Sequence, residues 1–318
     1  MKKYIGTAIT VITLLTLSVL TIVFSSYEFT SLQLDTLLIL GIICGASILY
    51  CFVVGEISRN NSQMDKLWSI LPIAYTWVIA IKGGMNIRLV IYAIIVTLWG
   101  LRLTINFARK GAYRIKFWEG EEDYRWAILR KNKFFQSKVV WALFDLFFIC
   151  FYQNVLVLAI TLPALACMES TAAFGVFDYI ATASSLLFLV IETIADEQQW
   201  KFHQTKKKLL SENESLEELP EPYNLGFNTF GLWSYFRHPN YLGEQGIWLC
   251  LYIFAIGAGV TNYGVFNLTI IGPLFLVLLF LGSSTLSESI SSKKYPKYSS
   301  YCDQVFKYLP LRKYDSSK

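Results

Sequence analysis

The chain has 318 residues, is 54% hydrophobic and 16% aromatic, carries only 16% charged residues, and has a mean hydropathy of +0.45. A soluble domain devotes about a quarter of its residues to charge, so this balance excludes an ordinary water-soluble protein and makes lipid the expected solvent. The net charge of +5 is modest and falls in alternate loops, a pattern of membrane topology and not of nucleic-acid binding.

Taking roughly 20 apolar residues as the length that crosses a bilayer, spans are predicted at 4–24, 36–54, 67–82, 88–107, 138–162, 174–195, 242–259 and 264–283. The first follows Lys2 and Lys3; its apolar run is too long for a signal peptide and no A-x-A-like site follows, so it reads as a retained span. The third is short and carries Pro72, which allows a re-entrant segment. The expected fold is therefore all-α, a polytopic membrane helix bundle of seven or eight transmembrane helices in a single integral-membrane domain over 1–318.

Lys and Arg set the orientation. They occur at Lys2 and Lys3, at Arg59 and Lys66, from Arg109 to Lys138, from Lys201 to Lys208, and in the tail. The intervening loops 25–35, 83–87, 163–173 and 260–263 hold none, with Lys82 and Arg88 merely flanking the turn at 83–87, which places the N and C termini in the cytoplasm. Two cytoplasmic loops are long. In 108–137, Tyr124, Ile128 and Leu129 share a face, predicting a helix lying on the membrane surface. In 196–238, a polar helix end gives way to "SENESLEELPEP", where Pro220 and Pro222 break any helix and leave a solvated loop.

Several function classes find little here. The Cys residues (Cys44, Cys51, Cys150, Cys167, Cys250, Cys302) have no CxxC spacing and read as small buried hydrophobes. With His203 and His238 as the complement of histidines, a zinc or di-iron centre lacks ligands. Neither GxGxxG nor GxxxxGK[ST] occurs. A transporter would need broken or charged helices facing each other at the midplane, which the chain does not show. "GIICG", Gly41 to Gly45, predicts close helix packing.

Ionisable groups inside spans are costly and point to function. They are Arg102, Asp145, Glu192 and Glu244, with Gln153 and Asn154 beside them. Arg102 and Glu192 stand near the inner face, where snorkelling also explains them; Asp145 and Gln153 lie deeper. The stretch "WSYFRHPNYLGEQGIW", 233–248, combines these signals. Pro239 suits a first helical turn. Asn240, Tyr241, Glu244 and Trp248 follow at spacings that put them on one face. The helix N-terminus attracts anions, and Arg237 and His238 just outside it could grip phosphate, while Asn240 and Glu244 reach deeper.

At these residues the chain resembles the steroid 5α-reductase-like superfamily of membrane proteins, and within it a bacterial branch. Four patches carry the likeness: "NNSQMDKLWSILPIAYTW" (60–77), "LWGLRLTINFARKG" with "EEDYRWAILRKN" (98–132), "ADEQQWKFH" (195–203), and "GLWSYFRHPNYLGEQGIW" with "ESISSKKYPKYSSY" (231–248, 288–301). The likeness covers about 56–310, leaving 1–55 as N-terminal spans outside it. It implies an NADPH-dependent reduction of a carbon–carbon double bond conjugated to a ketone, in a steroid-like or other lipid substrate. The cofactor would enter from the cytoplasm into a C-terminal part, 192–310. There Asn240, Tyr241, Gly243 and Glu244 would line the nicotinamide end, Arg237 and His238 would lie toward the phosphates, and Asp196 and Trp200 toward the adenine–ribose side. Glu288 and Tyr298 would close the site.

For the groups that hold the ketone, Glu56, Asp65 and Tyr75 are candidates by location, with Tyr241 a further hydroxyl donor. The span 264–283 carries none of the basic residues that the superfamily places in its last span. The same superfamily includes isoprenylcysteine carboxyl methyltransferases and phospholipid methyltransferases, which share the RHPxY core. An S-adenosylmethionine-dependent methyltransferase is therefore the alternative expectation, and Asn240 followed by Glu244 is the feature that resembles the reductases.

Overall fold

The computed structural model describes residues 2–24, 28–259 and 267–315. The expected loop 260–263 and the first three residues of the predicted last span lie outside the described residues. Among them all regular structure is helical; the extended pairing consists of an isolated parallel bridge, Phe236 to Phe306.

The helices are α1 (Lys2–Phe24), α2 (Ser31–Ser58), α3 (Gln63–Leu67), α4 (Leu71–Lys82), α5 (Ile87–Ala108), α6 (Tyr124–Arg130), α7 (Lys138–Phe144), α8 (Gln153–Ala159), α9 (Leu162–Ala166), α10 (Val176–Glu212), α11 (Pro239–Gly257), α12 (Ile271–Lys294) and α13 (Tyr298–Gln304). Between α7 and α8 runs a π-helical stretch, Asp145–Tyr152. Among the described residues, five helical segments are long and apolar enough to cross a membrane: Ser31–Ser58, Ile87–Ala108, Lys138–Ala166, Val176–Glu212 and Leu268–Lys294. Thr10–Val23 and Leu71–Lys82 are apolar but shorter.

Local chemistry explains where elements start and stop. Thr30 caps α2 reciprocally with Gln33, each side chain bonding the other's backbone N–H. Helix α10 continues to Glu212, well beyond the apolar run that ends near 195. Its extension is rich in Glu, Gln, Lys and Leu, which favour helix, and Glu197 pairs with Lys201 at 3.7 Å. The surface helix expected in 108–137 shrinks to the seven residues of α6. Gly111 and Gly120 adopt positive φ (88° and 117°), and a Cβ on Gly120 would lie 2.1 Å from the Ala112 carbonyl oxygen, so the chain turns there instead. Trp126 of α6 faces inward while Tyr124 and Ile128 remain exposed. "GIICG" is also corrected: Gly41 and Gly45 have open space where a Cβ would go, so no helix packs closely against these two glycines.

Tertiary packing divides the chain into two compact units. Unit 2 comprises Ile12–Ala183 and Leu249–Leu276. In it α4 packs on α5 and α2, and α2 packs on the π-helical stretch and α8. Leu40, Tyr75, Ile79, Tyr92, Val96, Trp99 and Leu156 fill its interior. A Cβ at Gly100 would fall 2.5 Å from the Ser69 carbonyl oxygen, so this glycine is what lets α5 approach so closely. Near the loops that lack Lys and Arg, Arg88 is buried against Asp178 and also donates to Ser170 Oγ and to the carbonyls of Ala172, Ala173 and Gly257.

Unit 1 comprises Met1–Val11, Ser184–Trp248 and Val277–Lys318. Within it the second half of α10 meets the start of α11. A Cβ at Gly243 would lie 2.5 Å from Glu192 Cβ, and one at Gly246 would lie 2.4 Å from the Phe188 ring. Leu225, Phe227, Tyr298, Tyr301, Cys302 and Val305 form an apolar cluster under the tail.

Candidate functional site

In unit 1 the tail of the chain holds the opening of α11. The Arg237 N–H donates to the Phe306 carbonyl at 3.0 Å and the His238 N–H to the Lys307 carbonyl at 3.3 Å. The Tyr301 hydroxyl reaches the carbonyls of Trp233 and Phe236 at 2.5 and 3.2 Å. Trp233 in turn donates its indole N–H to the Ala195 carbonyl of α10 at 3.0 Å. Gly231, at φ 62°, brings the Leu232 N–H to the Gln198 side chain at 2.9 Å. The irregular backbone from 230 to 238 is thereby bonded on both sides.

One carboxylate organises the charges. Glu288 accepts from Arg237 Nε at 2.8 Å and from His238 Nε2 at 3.1 Å, and lies 3.7 Å from Lys307 Nζ. Arg237 Nη1 donates to the carbonyls of Cys302, at 2.8 Å, and Val305. Arg237 and His238 are thus buried, 8% and 5% exposed, and not displayed at an open helix mouth. The physical reason is desolvation: a buried guanidinium needs a carboxylate and carbonyls around it. Burial lowers the His238 pKa below its ordinary value, against the opposing pull of Glu288. The ring is therefore neutral near pH 7 and donates its Nε2 proton to Glu288, since a carboxylate only accepts. Burial likewise lowers Lys307, which also donates to Ser284 and Thr285 at 3.2 Å.

Tyr241 stacks on the His238 ring, centroids 5.2 Å apart and nearly parallel, and packs on Phe280 of α12 at 4.7 Å. One residue earlier, Asn240 Nδ2 donates to Asp196 Oδ1 of α10 at 3.2 Å. That bond fixes which way the amide points and leaves Asn240 Oδ1 buried with no hydrogen-bond partner among the described residues. Glu244 is buried one turn deeper, and Gly243 lies against Glu192 as the close-packing residue between the helices. Trp200 is half-buried on α10. Tyr298 sits in the apolar cluster beneath the tail, where burial raises its pKa.

The structure therefore gathers Asp196, Arg237, His238, Asn240, Tyr241, Gly243, Glu244 and Glu288 in unit 1. Sequence reading missed Lys307, which stands outside the quoted motifs and is placed by the backbone pairing with 236–238.

Of the ketone candidates, Glu56, Asp65 and Tyr75 belong to unit 2, whereas Tyr241 stands in unit 1. Glu56 is exposed on the last turns of α2. Asp65 accepts from Trp126 Nε1 at 3.0 Å and lies 3.8 Å from Arg125; burial first, then Asp123, raises its pKa. Tyr75 is wholly buried on α4, its hydroxyl toward the Cys44 thiol. Lys66, next to Asp65, is also wholly buried and donates to the carbonyls of Phe117 and Glu119, each at 2.7 Å. Charge alone gave no hint of that, because the sequence placed Lys66 in a cytoplasmic loop.

Residues 51–305 match the family DUF1295, described as a protein of unknown function. The chain belongs to this family. It is also similar to an uncharacterised protein of the fission yeast Schizosaccharomyces pombe, 35% identical over 284 residues that span 83% of this chain and 78% of that one. No solved structure matches.

Proposed function

We propose that the chain is an NADPH-dependent membrane reductase of a conjugated C=C bond in a lipid-like substrate, with the cofactor held in unit 1. The observation that carries the reading is Asn240. Its amide N–H is committed to Asp196, and its carbonyl oxygen is buried without a donor. Buried acceptors are rarely left unbonded, and the carboxamide N–H of a nicotinamide is a donor of the right kind. Glu244 on the same helix face offers a carboxylate to ribose hydroxyls, and Lys307, held by Glu288, offers positive charge to phosphate.

When bound, NADPH supplies the hydride. The chain's own residues orient it and exclude water: the face from Gly243 to Trp248 is buried, so little solvent reaches the deeper turns. Tyr241, held flat against neutral His238, is the donor in this unit for an oxygen that gains negative charge during reduction. The substrate reaches the protein from the bilayer, given the apolar helices long enough to cross it. Seven or eight spans with both termini cytoplasmic complete the proposal.

Thermal-shift titration of the detergent-purified full chain tests it. NADPH at a hundredfold excess over its Kd should stabilise by about 2.7 kcal/mol. Stabilisation by S-adenosylmethionine and not by NADPH would replace this reading with a methyltransferase.

A further inference from the structure

In unit 1 the chain beyond α13 forms a loop, 308–313, whose two ends are tied to the segment ahead of α11. The Lys307 carbonyl accepts from the His238 N–H at 3.3 Å, and the Tyr314 N–H donates to the Ser234 carbonyl at 2.8 Å. Its first residues are also fixed against α12. Lys307 Nζ donates to Ser284 and Thr285, and the Tyr308 hydroxyl donates to the Phe280 carbonyl at 3.4 Å. Phe280 belongs to the apolar run of α12 that closes at Gly282, inside the segment Leu268–Lys294 that is long enough to cross a membrane. Ser283, Ser284 and Thr285 then begin its polar end. The loop therefore starts at the depth where α12 passes from hydrocarbon to headgroups.

At that depth the loop turns apolar side chains outward. Leu309 and Leu311 are 56% and 65% exposed, and Phe306 is 41% exposed. Scattered exposed leucines are ordinary on a protein surface, but these stand beside the end of a membrane-crossing helix. Cations flank them. Arg312 lies over the Phe306 ring at 6.0 Å and Lys313 over the Tyr235 ring at 5.8 Å, both of them exposed. Between 289 and 315 there are six Lys or Arg and two acidic residues, Asp303 and Asp315. Pro310, between the leucines, has no N–H and so removes one donor that lipid would leave unbonded.

We infer that the loop 308–313 is a lipid-binding surface: Leu309 and Leu311 enter the boundary of the nearer leaflet, and Arg312 and Lys313 meet anionic headgroups. Apolar side chains with cations beside them bind a membrane surface without crossing it. Arg and Lys keep their stems in the apolar layer and their charges among the phosphates. A protein partner is the poorer occupant, because a stable interface buries about 800 Å² a side and three apolar side chains do not supply that. The inference does not rest on the cofactor reading, since no nucleotide takes part.

Spin labelling of the full chain in nanodiscs tests it. The six native cysteines are buried, so labels are placed at Leu309→Cys and Leu311→Cys, with the wild-type chain as the blank. In an equimolar mixture of phosphatidylcholine and phosphatidylglycerol, both labels should be relaxed more by oxygen, which dissolves in lipid, than by a polar nickel chelate. Leu187→Cys, exposed on α10, gives the lipid reference, and Asp303→Cys, exposed on α13, gives the aqueous one. Replacing the anionic lipid by phosphatidylcholine should lower the inserted population on the order of thirtyfold, and so should Arg312→Gln with Lys313→Gln in the Leu311→Cys chain. Melting temperatures confirm that each variant is folded; if Leu309→Cys is not, Leu311→Cys decides. Chelate access equal to that at Asp303→Cys would mean a solvated loop and would overturn the inference. Access to neither agent would mean that protein covers the loop, and would overturn it too. So would insertion indifferent both to lipid charge and to the two cations. NADPH binding is decided by its own titration whatever the result here.

Discussion

Arg88 and Asp178, 90 residues apart in the chain, meet at 2.6 Å with side chains 4% and 1% exposed. Removing one partner strands the other charge in an apolar interior. Arg88→Ala or Asp178→Ala should each cost about 3–5 kcal/mol. The joint replacement Arg88→Met with Asp178→Leu should recover most of that, because no charge is then left unpaired. Melting of the three variants in one detergent checks it.

Asn240→Ala and Glu244→Gln should each weaken cofactor-dependent turnover. A lost hydrogen bond to a charged group costs about 1.5–3 kcal/mol, on the order of ten- to a hundredfold. Affinity, single-turnover rate and melting temperature measured together separate a ligand-binding role from a packing role. Normal turnover in both variants would remove this helix face from the active site.

Arg237→Ala should lower the melting temperature as well as cofactor affinity. Its guanidinium bonds Glu288 and the carbonyls of Cys302 and Val305, all of which it would leave buried. Arg237→Lys should rescue little, because an ammonium cannot span those acceptors in one plane.

Two glycines should respond in opposite directions. Gly243→Ala drives a methyl group to 2.5 Å from Glu192 Cβ and 3.0 Å from its backbone, and overpacking of this kind costs about 1–3 kcal/mol. Gly41→Ala enters open space on a helix and should stabilise by about 0.5–1 kcal/mol. The same melting assay reads both.

His238 should make the folded protein acid-sensitive. Its folded pKa lies below the ordinary 6.5, so the unfolded chain binds its proton more readily. That stability is present above pH 6.5 and is lost as pH falls through the folded value. The melting temperature should therefore decline on acidification from neutral pH, and His238→Gln should flatten the decline.

The sequence made the apolar segments legible because a bilayer demands long uninterrupted hydrophobic runs, and 88–107 against Ile87–Ala108 shows how closely. The face shared by Asn240 and Glu244 was equally readable from helical spacing. What composition could not reveal was pairing across long chain separations. Arg88 looked like a residue flanking a turn, and Lys66 like an ordinary loop charge, whereas both are buried by partners far away in sequence. The burial of Arg237 eluded the motif for the same reason: its acceptors come from a tail whose spacing has no periodic relation to α11. The widened helix at Asp145 left no mark, since its residues are ordinary helix formers in an apolar run.

The bonds that fix Arg237 have a consequence for biosynthesis. The Cys302 carbonyl is made 65 residues after Arg237, and the Phe306 and Lys307 carbonyls follow later still. While the ribosome is still adding those residues, Arg237 lacks the carbonyls that receive its charge. The proposed site is therefore completed late, when the tail is in place. A nonsense mutation that removes 302 onward would leave the RHPNY sequence intact and deprive it of the structure around it.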